Sequence, residues 1–509
     1  MNINISTLGI VTNADFVHEY VDTVSFNENS DTRNDPLPVF ERLLLSLNDD
    51  QRRIFEIIQY SLNHDTERNR NMFYIDGPGG SGKTYLYNTL ISYVASMNGY
   101  CISSAYTGIA SSLLQNGATI HKRFSIPIDG EHNSTLSISP SSAQADFIRN
   151  AKLFIFDEAT MIPSWMLDYI DRLLRDIMDV NEPFGGKIVI FGGDFRQCLP
   201  VISRGDKAMI LSSCIRASGL WNEFKVLQLT QNMRARNSDS SFRNWLLDIG
   251  NGRTGPTIDI PSECFVPSER ILIHRVFENN LGPHSAKQIV NRCILCVDNN
   301  TVNRMNESII SLFPGRSKIY HSVDSVVNPD STSPDNAYDE ITDELLHSLN
   351  PPSLPPHSLT LKIGAPIMLI RNLNIKKGLC NGTRLIVTDI KDTLISVKFP
   401  NGSETFPIPR IPLIGSDSSL PFNIKRLQFP IRLAFSMTIN KSQGQTFDKV
   451  AVHLEKPVFA HGQLYVAISR VRKLEDLAVY LGKSTNDPEN PITRNVVYPE
   501  VVNINNPRN

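Results

Sequence analysis

One short stretch limits the fold of this chain more than any other: residues 73–84, with the sequence FYIDGPGGSGKT. A short apolar run leads into a glycine-rich turn, and Lys83 and Thr84 open a helical pattern that extends to about Met97. Because glycine has no Cβ, the backbone of such a turn can close tightly with several N–H groups pointing inward. A strand, a loop of this kind and a helix in succession can cradle the phosphates of a nucleotide. The stretch therefore predicts an α/β fold organised around a nucleotide site.

The loop carries the complete pattern G-x-x-x-x-G-K-[ST], and each of its residues is a candidate nucleotide contact: Gly77, Pro78, Gly79, Gly80, Ser81, Gly82, Lys83 and Thr84. The ammonium group of Lys83 is expected to reach the β- and γ-phosphates of a nucleoside triphosphate. The hydroxyl group of Thr84 is expected to bind Mg²⁺, which makes Thr84 a candidate metal ligand.

Length, charge and hydropathy exclude several classes of protein. The 509 residues are too many for one hydrophobic core, so two or more domains are expected. The net charge of −2 gives no overall attraction to nucleic acid or to anionic membranes, although it leaves a local basic groove open. No apolar run approaches the ~20 residues of a membrane span, and no targeting signal is evident at the N-terminus. We expect an intracellular protein that does not enter a membrane.

The cysteines indicate a reducing compartment, because there are seven of them, scattered along the chain. Cys293 and Cys296 form the one C-x-x-C pattern, within a stretch that resembles a strand. Side chains three positions apart in a strand point to opposite faces, and no second C-x-x-C completes a zinc site. A metal role for this pair is therefore not expected.

Two further apolar runs end in polar residues that suit phosphate chemistry. The first, residues 153–156, is followed by Asp157 and Glu158, and the second, residues 188–191, is followed by Gln197 in a loop. Continuous apolar runs are typical of strands buried on both faces of a parallel sheet, whose ligands lie at the carboxyl ends. Asp157 could hold Mg²⁺ through water, Glu158 could polarise an attacking water, and Gln197 is placed to sense a γ-phosphate.

The order of the elements predicts an α/β fold class: a RecA-like P-loop NTPase domain, and then a second domain in which the α/β pattern resumes around a small β-rich insertion. Residues 1–40 are polar and weakly patterned and predict a flexible leader. Alternating apolar strands and helices place the first domain at 41–234 and the second at 235–509. A loop rich in Ser and Pro and several short β runs with Asn-Gly turns place the insertion at about 322–425.

A basic cluster after the second strand allows two interpretations. His121, Lys122 and Arg123 stand directly before Phe124. Basic side chains beside an aromatic ring can hold a phosphate and stack on a base. The same composition is also typical of a solvated loop, and the residues alone leave both readings open.

Ten motifs in order resemble the petite-integration-frequency (Pif) family of superfamily-one, RecD-like DNA helicases, and in particular the helicase portion of Helitron-type transposon proteins. They lie between about Leu45 and Gly482: LNDDQ, GPGGSGKT, YTGIA, ATIHKRF, FDEAT, GGDFRQCLPV, LTQNMR, LKIGAPIMLIRN, INKSQGQTFDKV and YVAISRVR. Outside the phosphate loop each motif is weak, but ten in sequence are specific. The leader shows no nuclease signature, so any longer transposon parent would contribute only its motor part here.

The resemblance implies two RecA-like P-loop NTPase domains, with an SH3-like insertion in the second, and it implies a role for each matching residue. Gln51 would read the adenine edge, Asp157 would hold the metal, and Glu158 would be the catalytic carboxylate. Gln197 would couple the γ-phosphate to the DNA, and Arg234 and Arg470 would act as arginine fingers from the second domain. The single-strand path would be lined by Thr107, Gly108, His121, Arg123, Phe124, Pro200, Ser442 and Gln443.

The resemblance also implies the activity: an ATP- and Mg²⁺-dependent helicase that moves 5′ to 3′ on single-stranded DNA and unwinds forked DNA in replication, repair, recombination or telomere maintenance. A monomer is expected, and a nuclear location if the source is eukaryotic. One alternative is a P-loop ATPase that remodels or loads other proteins without unwinding. Another is a domesticated transposon remnant that only binds. Fold alone does not separate these classes, and the site residues favour the helicase.

Overall fold

The structure of the chain is a computed structural model, and it describes residues 36–64, 71–127, 130–202, 204–231, 233, 240–278, 281–327, 341–375, 377–415, 420, 422–482 and 491–503. Within these residues the chain forms two compact units. The P-loop unit contains residues 36–258, 458–473 and 494–503, and the second unit contains residues 259–457 and 474–493.

The long first run of the chain alternates strands with helices. Its strands are β1 (Met72–Asp76), β2 (Cys101–Ala105), β3 (Ala118–Thr119), β4 (Leu153–Asp157), β5 (Ile188–Gly193), β6 (Lys225–Gln228) and β7 (Thr257–Asp259). Its helices are α1 (Pro36–Leu45), α2 (Asp49–Asn63), α3 (Lys83–Ser96), α4 (Gly108–Leu113), α5 (Ile120–Phe124), α6 (Ala143–Asn150), α7 (Ser164–Met178), α8 (Lys207–Ser213) and α9 (Ser240–Gly250). The predicted end of the leader, at residue 40, falls inside α1.

Strands β1 to β6 form one sheet in the order β3-β2-β4-β5-β1-β6, and all its pairings are parallel. Every residue of β1 and β4 is buried, because helices cover both faces and exclude water from each side chain. Asp76 of β1 lies opposite Gly193 of β5, and Asp157 of β4 lies opposite Ala105 of β2. The strand ends that carry the predicted chemistry are therefore neighbours, and the predicted parallel α/β sheet is confirmed.

Two apolar clusters hold this sheet between its helices. One contains Phe124, Phe154 and Phe156 with the buried face of α7, and the other contains Phe55 and Leu86 from α2 and α3. Full burial of an aromatic or leucine side chain stabilises the fold by about 1.5–3 kcal/mol. The second cluster therefore fixes α3, and with it the loop that precedes α3, against the sheet.

The second unit combines one parallel sheet with several antiparallel ones. Its strands are β8 (Arg292–Cys296), β9 (Lys318–His321), β10 (Val323–Val327), β11 (Ser358–Leu361), β12 (Pro366–Leu369), β13 (Arg384–Ile390), β14 (Leu394–Lys398), β15 (Thr405–Pro409), β16 (Ile411–Gly415), β17 (Asn423–Gln428), β18 (Ile431–Leu433), β19 (Ser436–Thr438), β20 (Lys449–His453) and β21 (Leu477–Tyr480). Its helices are α10 (Glu269–Phe277), α11 (Ala286–Val290), α12 (Asn299–Leu312) and α13 (Asp343–Ser348).

The parallel sheet has the order β19-β8-β20-β21. The antiparallel sheets have the orders β15-β14-β13-β12-β18, β10-β17-β16 and β11-β9. The predicted strand around Cys293 and Cys296 is confirmed as β8, where both side chains are buried. A β-rich module inside an α/β unit thus agrees with the sequence prediction, while its likeness to an SH3 barrel stays a prediction.

The chain returns to the P-loop unit near its C-terminus. The last elements are α14 (Gln463–Ile468), β22 (Ile492–Arg494), which pairs with β7, and α15 (Pro499–Val502). The compact units divide at 258 and not at 234, and residues 458–473 belong to the P-loop unit. The domain limits of the sequence analysis stay a prediction beside this division. Among the described helices, none has the length and apolar character that crossing a membrane requires.

Candidate active site

The phosphate loop follows β1 and ends at the first residue of α3. Gly80 and Gly82 have φ angles of +86° and +81°, a region that side chains with a Cβ rarely adopt. The Nζ atom of Lys83 donates a hydrogen bond of 2.5 Å to the carbonyl oxygen of Gly77. The loop therefore wraps around its own lysine, as the glycine pattern predicts.

Gln51 ties the start of α2 to this loop. Its Oε1 atom accepts the N–H of Asn48 at 3.0 Å and thereby caps the helix, while Nε2 donates to the carbonyl oxygens of Ser81 and Gly82 at 3.4 and 3.3 Å. The residue is only 2% exposed. Its predicted reading of adenine stays a prediction, but its contact with the loop is direct.

Asp194, just beyond β5, is the centre of the hydrogen bonds below the loop. Its Oδ2 atom accepts the backbone N–H of Gly79 at 3.0 Å, the Nε2 amide of Gln197 at 3.1 Å and the hydroxyl group of Tyr465 at 3.1 Å. The Gly79 N–H also lies 3.3 Å from the Tyr465 oxygen. One carboxylate thus joins the phosphate loop, the predicted γ-phosphate sensor and helix α14.

Arg196 keeps this carboxylate charged. Its Nη1 atom lies 3.1 Å from Oδ1 of Asp194 and 3.6 Å from Oδ2 of Asp76. Burial acts to raise the pKa of Asp194, but Arg196 and then Lys83 outweigh burial and lower that pKa below its usual value. At Asp76 burial prevails over Arg196, and the pKa is raised. Asp194 is therefore the stable anionic acceptor of the pair.

Asp157 and Glu158 form a tight acidic pair at the end of β4. The Oδ1 atom of Asp157 accepts the N–H of Glu158 at 2.9 Å, and Glu158 has a φ of 54°, which is uncommon for a residue with a side chain. Asp157 is only 6% exposed. Burial, and after it the charge of Glu158, raise the pKa of Asp157 to about 7, while Lys83 opposes the shift. Two adjacent carboxyl groups of this kind suit a divalent cation.

Arg470 lies against the phosphate loop. An added Cβ at Gly79 would be 3.6 Å from Nη2 of Arg470, 3.8 Å from Nε2 of Gln197 and 4.0 Å from the hydroxyl oxygen of Tyr465. Arg470 is 1% exposed, and its Nε atom donates to the carbonyl oxygen of Val466 at 2.8 Å. Burial lowers its pKa, and Glu158 is the first of the charges that oppose the shift. The structure therefore brings Arg470, Gln197 and the loop together.

The arrangement of Arg470 differs in one respect from the prediction. The sequence analysis expected it to approach from a second domain, but residues 458–473 belong to the same compact unit as the loop. The other predicted arginine finger, Arg234, lies outside the described residues.

The residues present fit a magnesium-bound nucleoside triphosphate. The Ser81 hydroxyl and the Gln197 Oε1 atom are buried and lack a hydrogen-bond partner among the described residues. Buried polar groups are nearly always satisfied, so such orphans indicate a missing ligand or water. Lys83 and Arg470 supply positive charge for phosphates, and Asp157 with Thr84 supplies oxygen ligands for the cation.

The residues predicted to line a single-strand path have mixed surroundings. Thr107 caps α4 by accepting the N–H of Ala110 at 3.3 Å, and Gly108 is the first residue of that helix. The ring of His121 lies 5.8 Å from that of Tyr106, and burial lowers the pKa of His121. Arg123 donates to the carbonyl oxygen of Asn116 at 2.8 Å. The remaining members of the set are buried: Pro200, Ser442 and Gln443. Their contact with DNA stays a prediction.

Phe124 corrects one prediction. It is fully buried, and its ring packs 5.6 Å from that of Phe156 in the core of the P-loop unit. A ring without exposed surface cannot stack on a base. The hydrophobic side of α5 accounts for Phe124, because α5 packs against the sheet as an ordinary amphipathic helix.

Sequence reasoning missed the network formed by Asp194, Arg196, Tyr465 and Asp76. A signal for Asp194 was present, since it follows a buried strand as Asp157 does. No spacing rule links Tyr465 to Gly79, because 386 residues separate them in the chain.

A parallel sheet, a glycine loop at the end of one strand and acids at the ends of its neighbours define a P-loop nucleotide-binding protein. The family description "PIF1-like helicase" matches residues 46–258, and "DNA helicase Pif1, 2B domain" matches residues 344–390. The chain belongs to the PIF1-like helicase family. Its further likeness to Helitron proteins stays a prediction.

Individual proteins extend this comparison. The chain is 28% identical over 414 residues to "ATP-dependent DNA helicase PIF1" of Homo sapiens, covering 80% of this chain and 58% of that protein. It is 28% identical over 462 residues to "ATP-dependent DNA helicase Pif1" of Psychrobacter sp., and the match covers 80% of this chain and 65% of that protein. The chain thus spans less than two thirds of the length of these curated relatives.

Solved structures are similar over most of their length. The crystal structure of Bacteroides Pif1 bound to single-stranded DNA has a TM-score of 0.62 and 26% identity, covering 85% of this chain and 92% of that one. Bacteroides Pif1 in complex with ADP-AlF3 and single-stranded DNA gives a TM-score of 0.61 and 27% identity, with coverage of 85% and 92%.

Proposed function

We propose that this protein is an ATP-dependent DNA helicase that hydrolyses ATP to move along single-stranded DNA and to unwind forked duplexes. The observation that carries the proposal is the convergence of Arg470 and Gln197 on Gly79 of the phosphate loop. A site that only held a nucleotide would not need a second cation and a second amide at the γ-phosphate end. These groups suit a site that stabilises the charge of phosphoryl transfer.

Each residue has a defined task in hydrolysis. Lys83 leaves the Gly77 carbonyl oxygen and binds the β- and γ-phosphates, and Glu158 orients the attacking water and takes up its proton. Arg470 balances negative charge on the transferred phosphoryl group. Asp194 and Tyr465 hold Gly79 in place and leave Gln197 able to respond to the γ-phosphate.

Thr84 and Asp157 are the proposed holders of Mg²⁺. When bound, the cation would neutralise phosphate oxygens. Asp157 is the stronger candidate, because it is a nearly buried carboxyl group beside a second acid.

The proposal for DNA rests on the relatives. One related structure is described as two coordinating Pif1 helicases at forked double-stranded DNA, with 27% identity and a TM-score of 0.60. We carry over to this chain both the single-strand substrate and the fork. The same proposal includes two RecA-like domains and an SH3-like character for the antiparallel module. It also includes 5′ to 3′ movement, a monomeric state and, in a eukaryotic source, a nuclear location.

The decisive experiment measures ATP hydrolysis with and without a single-stranded oligonucleotide. Strong stimulation by DNA is expected, and Lys83→Ala should abolish hydrolysis in both conditions. The matched control is Lys152→Ala, an exposed lysine of the same unit that should behave as wild type. Stimulation would then be followed by unwinding of tailed duplexes of both polarities.

Hydrolysis that is indifferent to DNA would refute the helicase proposal and would favour a protein-remodelling ATPase. Absence of hydrolysis in a folded protein would favour a binding remnant. Loss of activity in Lys152→Ala as well would show that the loss in Lys83→Ala is not specific to the loop.

A further inference from the structure

Two histidines and one aspartate meet within the second unit, where β10, α13 and the segment before β11 come together. Asp324 lies in β10, His347 in α13, and His357 directly before β11. One ligand atom of each residue, a carboxylate oxygen or an imidazole nitrogen, lies within 4.8 Å of the other two. Two imidazoles and a carboxylate form a donor set that proteins use for divalent transition metals, zinc among them. No residue with a task in ATP hydrolysis belongs to this cluster.

Arg426 of β17 fastens the three segments of the cluster to one another. Its side chain and that of Asp324 have no exposed surface, and its Nη2 atom donates to Oδ2 of Asp324 at 2.6 Å. The same guanidinium group donates to the carbonyl oxygens of Leu346 and Leu349, around α13, at 3.0 and 3.2 Å. Its Nη1 atom donates to the carbonyl oxygen of Pro355, in the segment before β11, at 2.9 Å. The three segments are thus held together before any ion binds, which lowers the entropic cost of binding.

Asp324 keeps room for an ion although Arg426 contacts both of its oxygens. The Nε atom of Arg426 lies 3.0 Å from Oδ1 and 3.1 Å from Oδ2, and Oδ2 also accepts the Nη2 atom. A carboxylate offers about four lone-pair sites, so Oδ1, which has a single such contact, retains one for an ion. Carboxylates that bind metals are commonly oriented by hydrogen bonds of this kind. Arg426 is therefore a positioning residue of the cluster.

The two imidazole rings supply nitrogen ligands. The rings of His347 and His357 are stacked, with centroids 3.7 Å apart and an angle of 21° between their planes. Nδ1 of His357 lies 2.8 Å from the hydroxyl oxygen of Ser322, and a hydrogen bond at this nitrogen leaves Nε2 available as a ligand. Burial, and after it the charge of His347, lower the pKa of His357. His357 is therefore neutral at pH 7, the form in which imidazole binds a metal.

The distances suit a bound ion after a small movement of the rings. Zinc bonds of ~2.0–2.1 Å in a tetrahedral site place the ligand atoms about 3.4 Å apart. The ligand atoms must therefore close by about 1.4 Å at most, and the stacked rings must tilt to direct their nitrogens at one point. His347 and His357 are only half-buried, so their side chains have room to turn. Three protein ligands leave the fourth position to water.

We propose that Asp324, His347 and His357 bind one zinc ion, which fastens α13 to β10. Arg426 is positively charged and opposes any cation, so the affinity comes mainly from the two imidazoles. This selects zinc over Mg²⁺ and Ca²⁺, which prefer oxygen ligands. A pair of stacked histidines with a purely structural role is the competing explanation. The inference goes beyond ATP hydrolysis and does not depend on the function proposed above.

The test titrates Zn²⁺ into the metal-free full chain and measures the number of bound ions and their affinity by calorimetry, without ATP or DNA. Two variants remove the nitrogen ligand: His347→Gln also removes the ring, whereas His347→Phe keeps a ring that can stack. The matched control is His284→Gln, which changes an exposed histidine of the same unit. Wild type and the control should each bind one ion more than either His347 variant. Titration with Mg²⁺ should show no such difference.

Thermal unfolding gives a second readout. Zn²⁺ at about 100 times its dissociation constant should raise the midpoint of the second unit by about 5–11 °C in wild type and in His284→Gln. Both His347 variants should lack this rise. Midpoints measured in EDTA verify that each variant is folded, and His347→Phe alone is sufficient for the comparison if His347→Gln does not fold.

The inference is overturned if wild type binds no Zn²⁺, or if wild type and His347→Phe bind the same number of ions and are stabilised equally. In the second case the ions would bind elsewhere. Midpoints that differ in EDTA but do not respond to Zn²⁺ would favour the structural pair and would also overturn it. Because the measurements contain neither nucleotide nor DNA, none of these outcomes decides the proposed function.

Discussion

Gly192 and Tyr87 are packed so closely that a single methyl group should disturb the P-loop unit. Gly192 lies in β5 opposite Ile75 of β1, and Tyr87 is a fully buried residue of α3. A Cβ added to Gly192 would be 1.6 Å from the hydroxyl oxygen of Tyr87 and 2.9 Å from its Cζ atom. Contacts below 3.0 Å cannot persist, so either the ring or the strand must move.

We expect Gly192→Ala to destabilise the unit by about 2–3 kcal/mol, the upper part of the range for overpacked cores. For a unit of this size that corresponds to a fall of about 4–12 °C in the thermal midpoint. Tyr87→Phe removes a buried hydroxyl group that has no partner among the described residues, so alone it should change stability little. In the double variant the 1.6 Å contact is gone and the 2.9 Å contact remains. At least half of the loss should therefore be recovered.

The assay is thermal unfolding, followed by circular dichroism at one scan rate, of wild type, both single variants and the double variant. Gly219→Ala is the matched control, because an added Cβ there meets nothing within 4 Å. A midpoint for Gly192→Ala within about a degree of the control would refute the packing argument. Equal losses in the single Gly192 variant and the double variant would show that strand β5, and not the tyrosine hydroxyl, is the source of strain.

Three further predictions concern other charged and polar groups. Tyr465→Phe removes a hydrogen bond to the Asp194 carboxylate, and such a bond contributes about 1.5 kcal/mol or more. If that energy is lost from the transition state, kcat/KM for ATP should fall about tenfold. Initial rates measure this change, and unchanged rates would count against a role of the Asp194 network in hydrolysis. Burial lowers the pKa of His461 to about 4, so the folded protein favours the neutral ring. The neutral ring contributes fully to the free energy of unfolding above about pH 6.5, the ordinary pKa of histidine, and this contribution is lost as pH falls towards 4. The loss is about 3 kcal/mol at most. Midpoints measured against pH should show this fall in wild type and a smaller fall in His461→Gln. Arg426→Leu leaves the buried Asp324 carboxylate without its ion-pair partner. The free energy of unfolding of the second unit, measured in urea, should therefore fall by about 3–5 kcal/mol. An unchanged free energy of unfolding would mean that water reaches the carboxylate.

The phosphate loop shows why part of the site was predictable. Its glycines, Lys83 and Thr84 are consecutive, and the parallel sheet follows from strands that are continuously apolar. The positions of Asp157 and Gln197 could also be predicted, because the carboxyl ends of neighbouring parallel strands lie side by side. Local pattern and sheet geometry were sufficient for these residues.

Tyr465 and Phe124 show where that reasoning stops. The contact of Tyr465 with Gly79 depends on the path of the intervening chain, which no periodicity records. Phe124 follows basic residues in sequence, but the side of a short helix that faces the core is decided by packing against Phe154 and Phe156. Residues 458–473 likewise join the P-loop unit through tertiary contacts, which no local pattern records.

That return of the chain has a consequence for protein synthesis. The P-loop unit is built from residues up to 258 and again from 458 onward, so about 200 residues are made between its two parts. At a translation rate of about 5–20 residues per second, the first part waits roughly 10–40 s on the ribosome for the second. During that interval Asp194 and Gly79 lack Tyr465, and the carbonyl oxygen of Phe195 lacks the His461 ring that donates to it at 2.7 Å. The nascent chain therefore acquires the contacts of Tyr465 and His461 only after residues 259–457, which belong to the second unit, have been made.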